Sequence, residues 1–457
     1  MKNQKNNKNN DKKHPGKKDA ASPARAFAAD MIRVILKEHC SVHDILESPL
    51  AAGYHLSASE HQQALAIVSA AFRRMNSLKV TLQSFMDKGL PKDGYIQSLL
   101  LSAAAQILLL DYPAHAVVND SVILAKKHPK TAFAAGMINA VLRKIANISD
   151  FKERTSHISD LPPWLQERWI NQYGKDITEK ISAILRIPAP LDLSLKTISH
   201  QEFEAWAEKL EGFILPTNSI RLLHRRPVPT LPGFEQGAWW VQNCAASLPV
   251  YMLKPEAGEH ILDLCAAPGG KTAQIAASGA KVTAVDSSAK RLRRLEDNMK
   301  RLQLQADILC HDVLDLPHKL YDGVLLDAPC SATGTLRRHP EAGWIKDHET
   351  IISLADIQKS LLDKAASLVR PGGRLVYATC SLEQEEGENQ IHDFLQRHPN
   401  FKRKVQTAQS LPVNGIITPE GDMRSLPFYL TAPTGYDETF SGMDGFFASC
   451  LIKDSAS

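Results

Sequence analysis

A chain of 457 residues, 44% hydrophobic and 23% charged, has the length of roughly two to four domains and the composition of an ordinary globular protein. Its net charge of +4 permits a nucleic-acid partner without demanding one, and much of that excess lies in the first 19 residues. Seven cysteines with no C-x-x-C pair argue against a disulfide framework and against a metal site of paired thiolates.

Residues 1–22 form a tail with seven lysines, expected to be disordered and solubilising, which could add affinity for RNA phosphates. It has no apolar core, so it is no secretory leader, and the free thiols point to a cytoplasmic protein. Residues 23–150 read as an all-helical domain. Ser22 and Pro23 suit an N-cap and first helical position, and Ser57 with Glu60 announces a capping box. The run "IQSLLLSAAAQILLLDY" (96–112) is apolar on nearly all sides, which suits the central helix of a bundle. It falls short of the roughly 20 residues a membrane span needs, so no membrane partner is expected.

Residues 151–235 mix periods. "LDLSLKT" and "SIRLLHRR" read as strands flanking a helix, a β-α-β unit, with Arg221, Arg225 and Arg226 placed either to meet RNA backbone or on a solvated edge strand. From 236 to 457 short β-rich runs alternate with helical stretches, the pattern of a doubly wound α/β domain whose ligands sit beyond the carboxyl ends of the strands. The basic stretch "SSAKRLRRLEDNMKRL" keeps Leu292, Leu295, Met299 and Leu302 at helical spacing, so its charges read as a solvated face.

"ILDLCAAPGGKTAQIAA" (261–277) is a strand, a glycine loop and a helix. Gly270-Lys271-Thr272 fits a phosphate-binding loop, but Cys265 stands where that motif needs glycine, and G-x-G-x-x-G is absent. A nucleoside cofactor without phosphate fits, and S-adenosylmethionine is the commonest. Cys265, Ala266, Ala267, Pro268, Gly269, Gly270 and Lys271 would line it. Asp286, ending the next strand, would take the ribose hydroxyls, and Asp312 the adenine amine. Each aspartate alone would more simply cap a turn or helix.

Two further apolar runs deliver a cysteine at the strand tip. "DGVLLDAPCSATGT" (322–335) ends on Cys330, and "GGRLVYATCS" on Cys380, which is followed at once by Ser381 and an acidic run. "DAPCSATGT", "YATCS" and "DLCAAPGGKT" together resemble the RNA cytosine-C5 methyltransferases of the RsmB/NOL/NOP group. "PAHAVVNDSV" and "INAVLRK" resemble the NusB-like extension of the bacterial RsmB branch, and "LPGFEQGAWWVQN" its entry to the catalytic domain.

The resemblance implies a multidomain protein. A NusB-like RNA-binding bundle (23–150) and a small α+β, RNA-recognition-like region (151–235) would precede a Rossmann-like class I methyltransferase domain (236–457). It implies Cys380 as nucleophile, Cys330 as helper in product release, and Asp327 as both cytosine and cofactor contact. Lys271 could lower a thiol pKa or fix the loop, and Arg337, Arg338 and His339 could steer phosphates. Cys40, Cys244, Cys310 and Cys450 read as inert buried residues. Asn243 stands where relatives commonly carry Asp, and the 405–440 segment is longer than the pattern expects. The expected substrate is 16S rRNA before or during subunit assembly, bound by a monomer. The same chemistry on tRNA, and a non-catalytic RNA-binding factor, are the alternatives.

Overall fold

The computed structural model describes residues 21–196 and 199–455, so the expectations for the lysine-rich tail lie, up to residue 20, outside the described residues. Two compact units divide the chain between Ile158 and Ser159.

The first unit is helical. Its central helix, Gly94–Leu109, is buried along most of its length, including Ser98, Ser102 and Gln106, as a run without a polar face requires. Asp93 caps it by accepting from the amides of Tyr95 and Ile96. Helices Pro23–Glu38, Ala58–Arg73 and Ala114–Lys127 pack against it. Ser57 and Glu60 make the capping box read from the sequence. Pro23 does open its helix, but the Ser22 hydroxyl caps nothing; the Ser22 amide instead donates to Asp120, which also pairs with Arg25.

The second unit opens on a helical pair, Pro163–Tyr173 and Lys175–Leu185, concealed in the mixed pattern of 151–235. Leu165, Trp169 and Ile181 pack there against Leu336, Leu382 and Leu426, each from a loop that follows a strand of the large sheet. A four-stranded antiparallel sheet comes next: β1 (Asp192–Leu195), β2 (Gly212–Ile214), β3 (Ser219–Leu222) and β4 (Trp239–Val241), in the order β2-β3-β1-β4. The expected β-α-β crossover runs from β1 to β2, not to β3. Strand β3 is inserted between them by a hairpin and pairs antiparallel with both.

The large sheet contains β5 (His260–Leu264), β6 (Lys281–Asp286), β7 (Asp307–Cys310), β8 (Tyr321–Asp327), β9 (Val369–Thr379), β10 (Phe401–Arg403), β11 (Met423–Ser425) and β12 (Phe446–Lys453). Its order is β10-β12-β9-β8-β5-β6-β7, with β11 also paired to β12. Strands β5 to β9 are parallel, and β10 to β12 add antiparallel. The chain steps outward from β5 through β6 to β7, then returns to β8 on the other side of β5. That reversal opens a crevice beyond the carboxyl ends of β5 and β8, where open α/β sheets bind ligands. The helix Ala289–Leu302 buries Leu292, Leu295, Met299 and Leu302 and keeps its basic face in solvent, as read.

Candidate active site at the strand tips

Register places the two cysteine loops side by side. Strands β8 and β9 are parallel, and Asp327 at the end of β8 lies opposite Ala378 of β9. Three residues beyond Asp327 and two beyond Ala378, the Cys330 and Cys380 sulfurs meet at 3.4 Å. Both side chains are partly exposed. The Cys330 thiol is pushed well above the usual cysteine range by its hydrogen bond to Cys380, then by burial and by the negative charges of Cys380 and Glu386. Two thiols in contact suit one as nucleophile and the other as its proton partner.

The loops are held by close backbone packing and by buried ions. Gly334 donates its amide to the Cys380 carbonyl at 3.0 Å and accepts from the Gly445 amide at 2.8 Å. A Cβ at Gly334 would lie 2.0 Å from the Gly445 oxygen, so only glycine fits. The acidic run after Cys380 turns inward. Glu383 and Glu385 pair with Arg168, Glu383 also accepts from the Trp169 indole, and Glu388 pairs with Arg424. Arg424 donates in addition to the Ser381 carbonyl at 2.6 Å. These anchors were not read from the sequence, because nothing local distinguishes an inward glutamate from a solvated one.

At the carboxyl ends of β5 and β8 lies a cleft of about 470 Å³. The loop after β5 lines it from Ala266 to Lys271, together with Asp263, Asp327 and Arg338. Cys265 sits at the start of that loop with a positive φ of 58°, and burial pushes its thiol up to about 12. Lys271 donates to Asp327 at 2.7 Å and lies over the Phe446 ring, so it fixes the loop. Asp263 is fully buried. One oxygen takes the Thr272 hydroxyl at 2.6 Å, and the other has no partner. An orphaned buried acceptor in the wall of a cleft without a phosphate cradle fits a cationic nucleoside such as S-adenosylmethionine.

Asp286 and Asp312 stand apart from the cleft's lining. Asp286 is buried and accepts from the amides of Ala267 and Ser288, which pins the glycine loop. Asp312 is exposed and caps a short 3-10 turn through the Leu314 amide.

Burial corrects the expectations for Arg221 and Arg337, whereas Arg225 and Arg226 stay exposed. Arg221 is neither at an edge nor exposed to RNA. Strand β3 is central, and the fully buried guanidinium pairs bidentately with Asp192 and donates to the Phe440 and Gly442 carbonyls. Arg225 donates to the Ala189 carbonyl, and Arg226 pairs with Glu211. Arg337 is buried too, and its donors are spent on the carbonyls of Ile187, Thr439 and Ser441. Two buried arginines therefore grip residues 439–442, the end of the long segment, and deliver Gly445 and Phe446 to the site. Arg338 lines the cleft and pairs with Asp444, and burial pushes the His339 imidazole down to about 4. Asn243 caps the helix Cys244–Leu253 through the Ala245 amide, and its side-chain oxygen also takes the Asp444 amide. Cys244 and Cys450 are buried as expected, but Cys310 is exposed and Cys40 intermediate.

Comparison with known proteins gives the site its context. Residues 250–451 match the family model for 16S rRNA methyltransferase RsmB/F, and residues 22–147 match the NusB family. Ribosomal RNA small subunit methyltransferase B of Vibrio cholerae is 34% identical over 432 residues, covering 90% of this chain and 94% of its own. The solved structure of PH0851 is similar with a TM-score of 0.71 at 24% identity, covering 95% of this chain and 100% of its own. NSun6 from Pyrococcus horikoshii, solved with SFG, is similar with a TM-score of 0.54 at 22% identity, covering 65% of this chain and 99% of its own.

Proposed function

The chain belongs to the RsmB/F family of 16S rRNA methyltransferases, and from that premise we propose that it methylates carbon 5 of a cytosine in small-subunit rRNA through a covalent bond between Cys380 and carbon 6 of the base. The observation that carries this reading is the 3.4 Å contact between the Cys330 and Cys380 sulfurs. Carbon 5 of cytosine is too weak a nucleophile to be methylated unaided. Addition of the Cys380 thiolate to carbon 6 breaks the 5,6 double bond and makes carbon 5 an enamine carbon. Bound S-adenosylmethionine supplies the electrophilic methyl group.

Asp263, Asp327 and the loop from Cys265 to Lys271 hold the cofactor in this reading. Asp286 and Asp312 are proposed as ribose and adenine contacts from the ends of β6 and β7. Asp327 also hydrogen-bonds the cytosine ring, with Lys271 fixing one of its oxygens. After methylation the carbon 5 proton leaves, and its bonding pair re-forms the double bond as the Cys380–carbon 6 pair returns to sulfur. Cys330 assists that proton removal. The 3.4 Å separation of its sulfur from that of Cys380 suits it to that role.

The target base must leave any stack for a thiol to reach carbon 6, which favours naked or partly assembled RNA. Residues 23–150 and 151–235 supply RNA recognition, 236–457 the chemistry. The test is transfer of labelled methyl to protein-free small-subunit RNA by unsubstituted protein, Cys380→Ala and Cys330→Ala, with denaturing gels. Expected are label in RNA, no label with Cys380→Ala, and a denaturation-stable protein–RNA adduct with Cys330→Ala. Label appearing only on tRNA overturns the substrate, and no label on either RNA overturns the reaction.

A further inference from the structure

The serines beside the two thiols meet behind them. Ser331 follows Cys330, Ser381 follows Cys380, and both hydroxyls lie on one oxygen of Glu386. The other oxygen accepts from the Ser331 amide at 2.8 Å and from the Gln358 amide group at 2.9 Å. Gln358 also donates to the Pro329 carbonyl at 2.8 Å, and Tyr377 donates to the Glu386 carbonyl at 2.8 Å. Ser331, Ser381, Gln358, Tyr377 and Glu386 are all 0% exposed.

Proton counting fixes how this cluster works. Each serine hydroxyl has one hydrogen. The two hydroxyl oxygens are 3.1 Å apart, yet both protons are claimed by Glu386, so the serines are held together through the carboxylate and not by each other. An ionised carboxylate can accept all four donors; a protonated or amidated one cannot. A buried carboxylate satisfied only by neutral donors is costly to maintain where stability is its only return. Here the donors belong to the two loops that carry the sulfurs.

We propose that Glu386 is a positioning residue that keeps the Cys330 and Cys380 thiols in contact by clamping the serine adjacent to each. The proposal rests on the two-thiol reading above, and its effect on the reaction follows from timing. Addition needs only Cys380, whereas product release needs Cys330 beside the same carbon. Loosening the clamp therefore slows release more than addition.

The experiment compares the full-length protein with Glu386→Gln, Ser331→Ala and Ser381→Ala. Glu386→Gln keeps side-chain volume but puts an amide donor against hydroxyls that must also donate. Diamide, a two-electron oxidant reduced to its hydrazine as two thiols become a disulfide, reports the contact directly, with the bridged peptides counted by mass. Expected is bridging of Cys330 to Cys380 about ten-fold slower in Glu386→Gln, since misplacement near 1 Å costs up to about a hundred-fold in rate. Thermal unfolding serves to show that each variant is folded. With labelled methyl donor and RNA, the ratio of trapped adduct to released product should rise, which a merely structural loss would leave unchanged. Bridging at the unsubstituted rate in all three variants, or no bridging in the unsubstituted protein, overturns the clamp. Bridging needs neither RNA nor methyl donor, so it decides the clamp even where nothing is methylated, a result that would instead overturn the proposed reaction.

Discussion

At Asp263 burial pushes the carboxyl up to about 7, against the opposing hydrogen bond from Thr272; Asp327 and Asp286 add to the rise and Lys271 offsets part of it. An acid with a raised folded pKa holds a proton that the unfolded chain releases above about pH 4. Stability of the free protein should therefore fall as pH rises from about 4 to about 7, by the sign of that proton difference. A cation against the orphaned oxygen favours the ionised form, so cofactor affinity should rise over the same window. Isothermal titration at several pH values checks this. In Asp263→Asn the pH dependence should vanish, and affinity should drop roughly ten- to a hundred-fold, the worth of about 1.5–3 kcal/mol for a hydrogen bond to a charged group. Unchanged affinity in Asp263→Asn would remove Asp263 from the cofactor site. Residues of this kind were only partly legible in the sequence. Cys330, Cys380 and Asp327 could be placed at strand tips from the apolar runs before them, their roles coming only from the family resemblance, while Arg221 and Arg337 looked like surface charges until the fold buried them.

Among the elements, the loop that begins with Cys330 depends on a backbone approach that tolerates no side chain. Gly334 lies between the Cys380 carbonyl and Gly445, linking the loop after β8 to the ends of β9 and β12. Gly334→Ala should destabilise the protein by about 1–3 kcal/mol, as overpacking of a tight site does. Because the displaced groups are the Cys380 backbone and its neighbours, methyl transfer should fall further than stability alone explains. Denaturant unfolding and single-turnover rates on the same variant measure the two effects, and a neutral Gly334→Ala would contradict this packing. At this scale the pattern from 236 onward was enough to read the alternation of strands and helices, but not the three-residue strands β4, which joins the small sheet, β10 and β11. The central place of β3 was not readable, because a three-residue β2 and a hairpin leave almost no periodicity to detect.

For the whole molecule, two units with separate internal packing divide the chain at Ile158 and Ser159. A fragment of residues 159–457 should fold alone and bind S-adenosylmethionine within about two-fold of the full chain, as an autonomous domain does. On the proposal that residues 23–150 supply RNA recognition, its transfer to rRNA should fall about ten-fold or more. Calorimetry and labelled-methyl transfer on the fragment test both, and a fragment that does not fold would move the boundary. The described residues contain no helix long and apolar enough to cross a membrane. By itself the sequence determined the residue types that chemistry needs, their places at strand ends, and the family they resemble, since these depend on local order and spacing. Only the tertiary structure decided that the two thiols touch, that the acidic run turns inward, and that Glu386 joins serines 50 residues apart. Those contacts arise from strand order and register, which bring distant segments within hydrogen-bond reach and leave no trace in the spacing along either one.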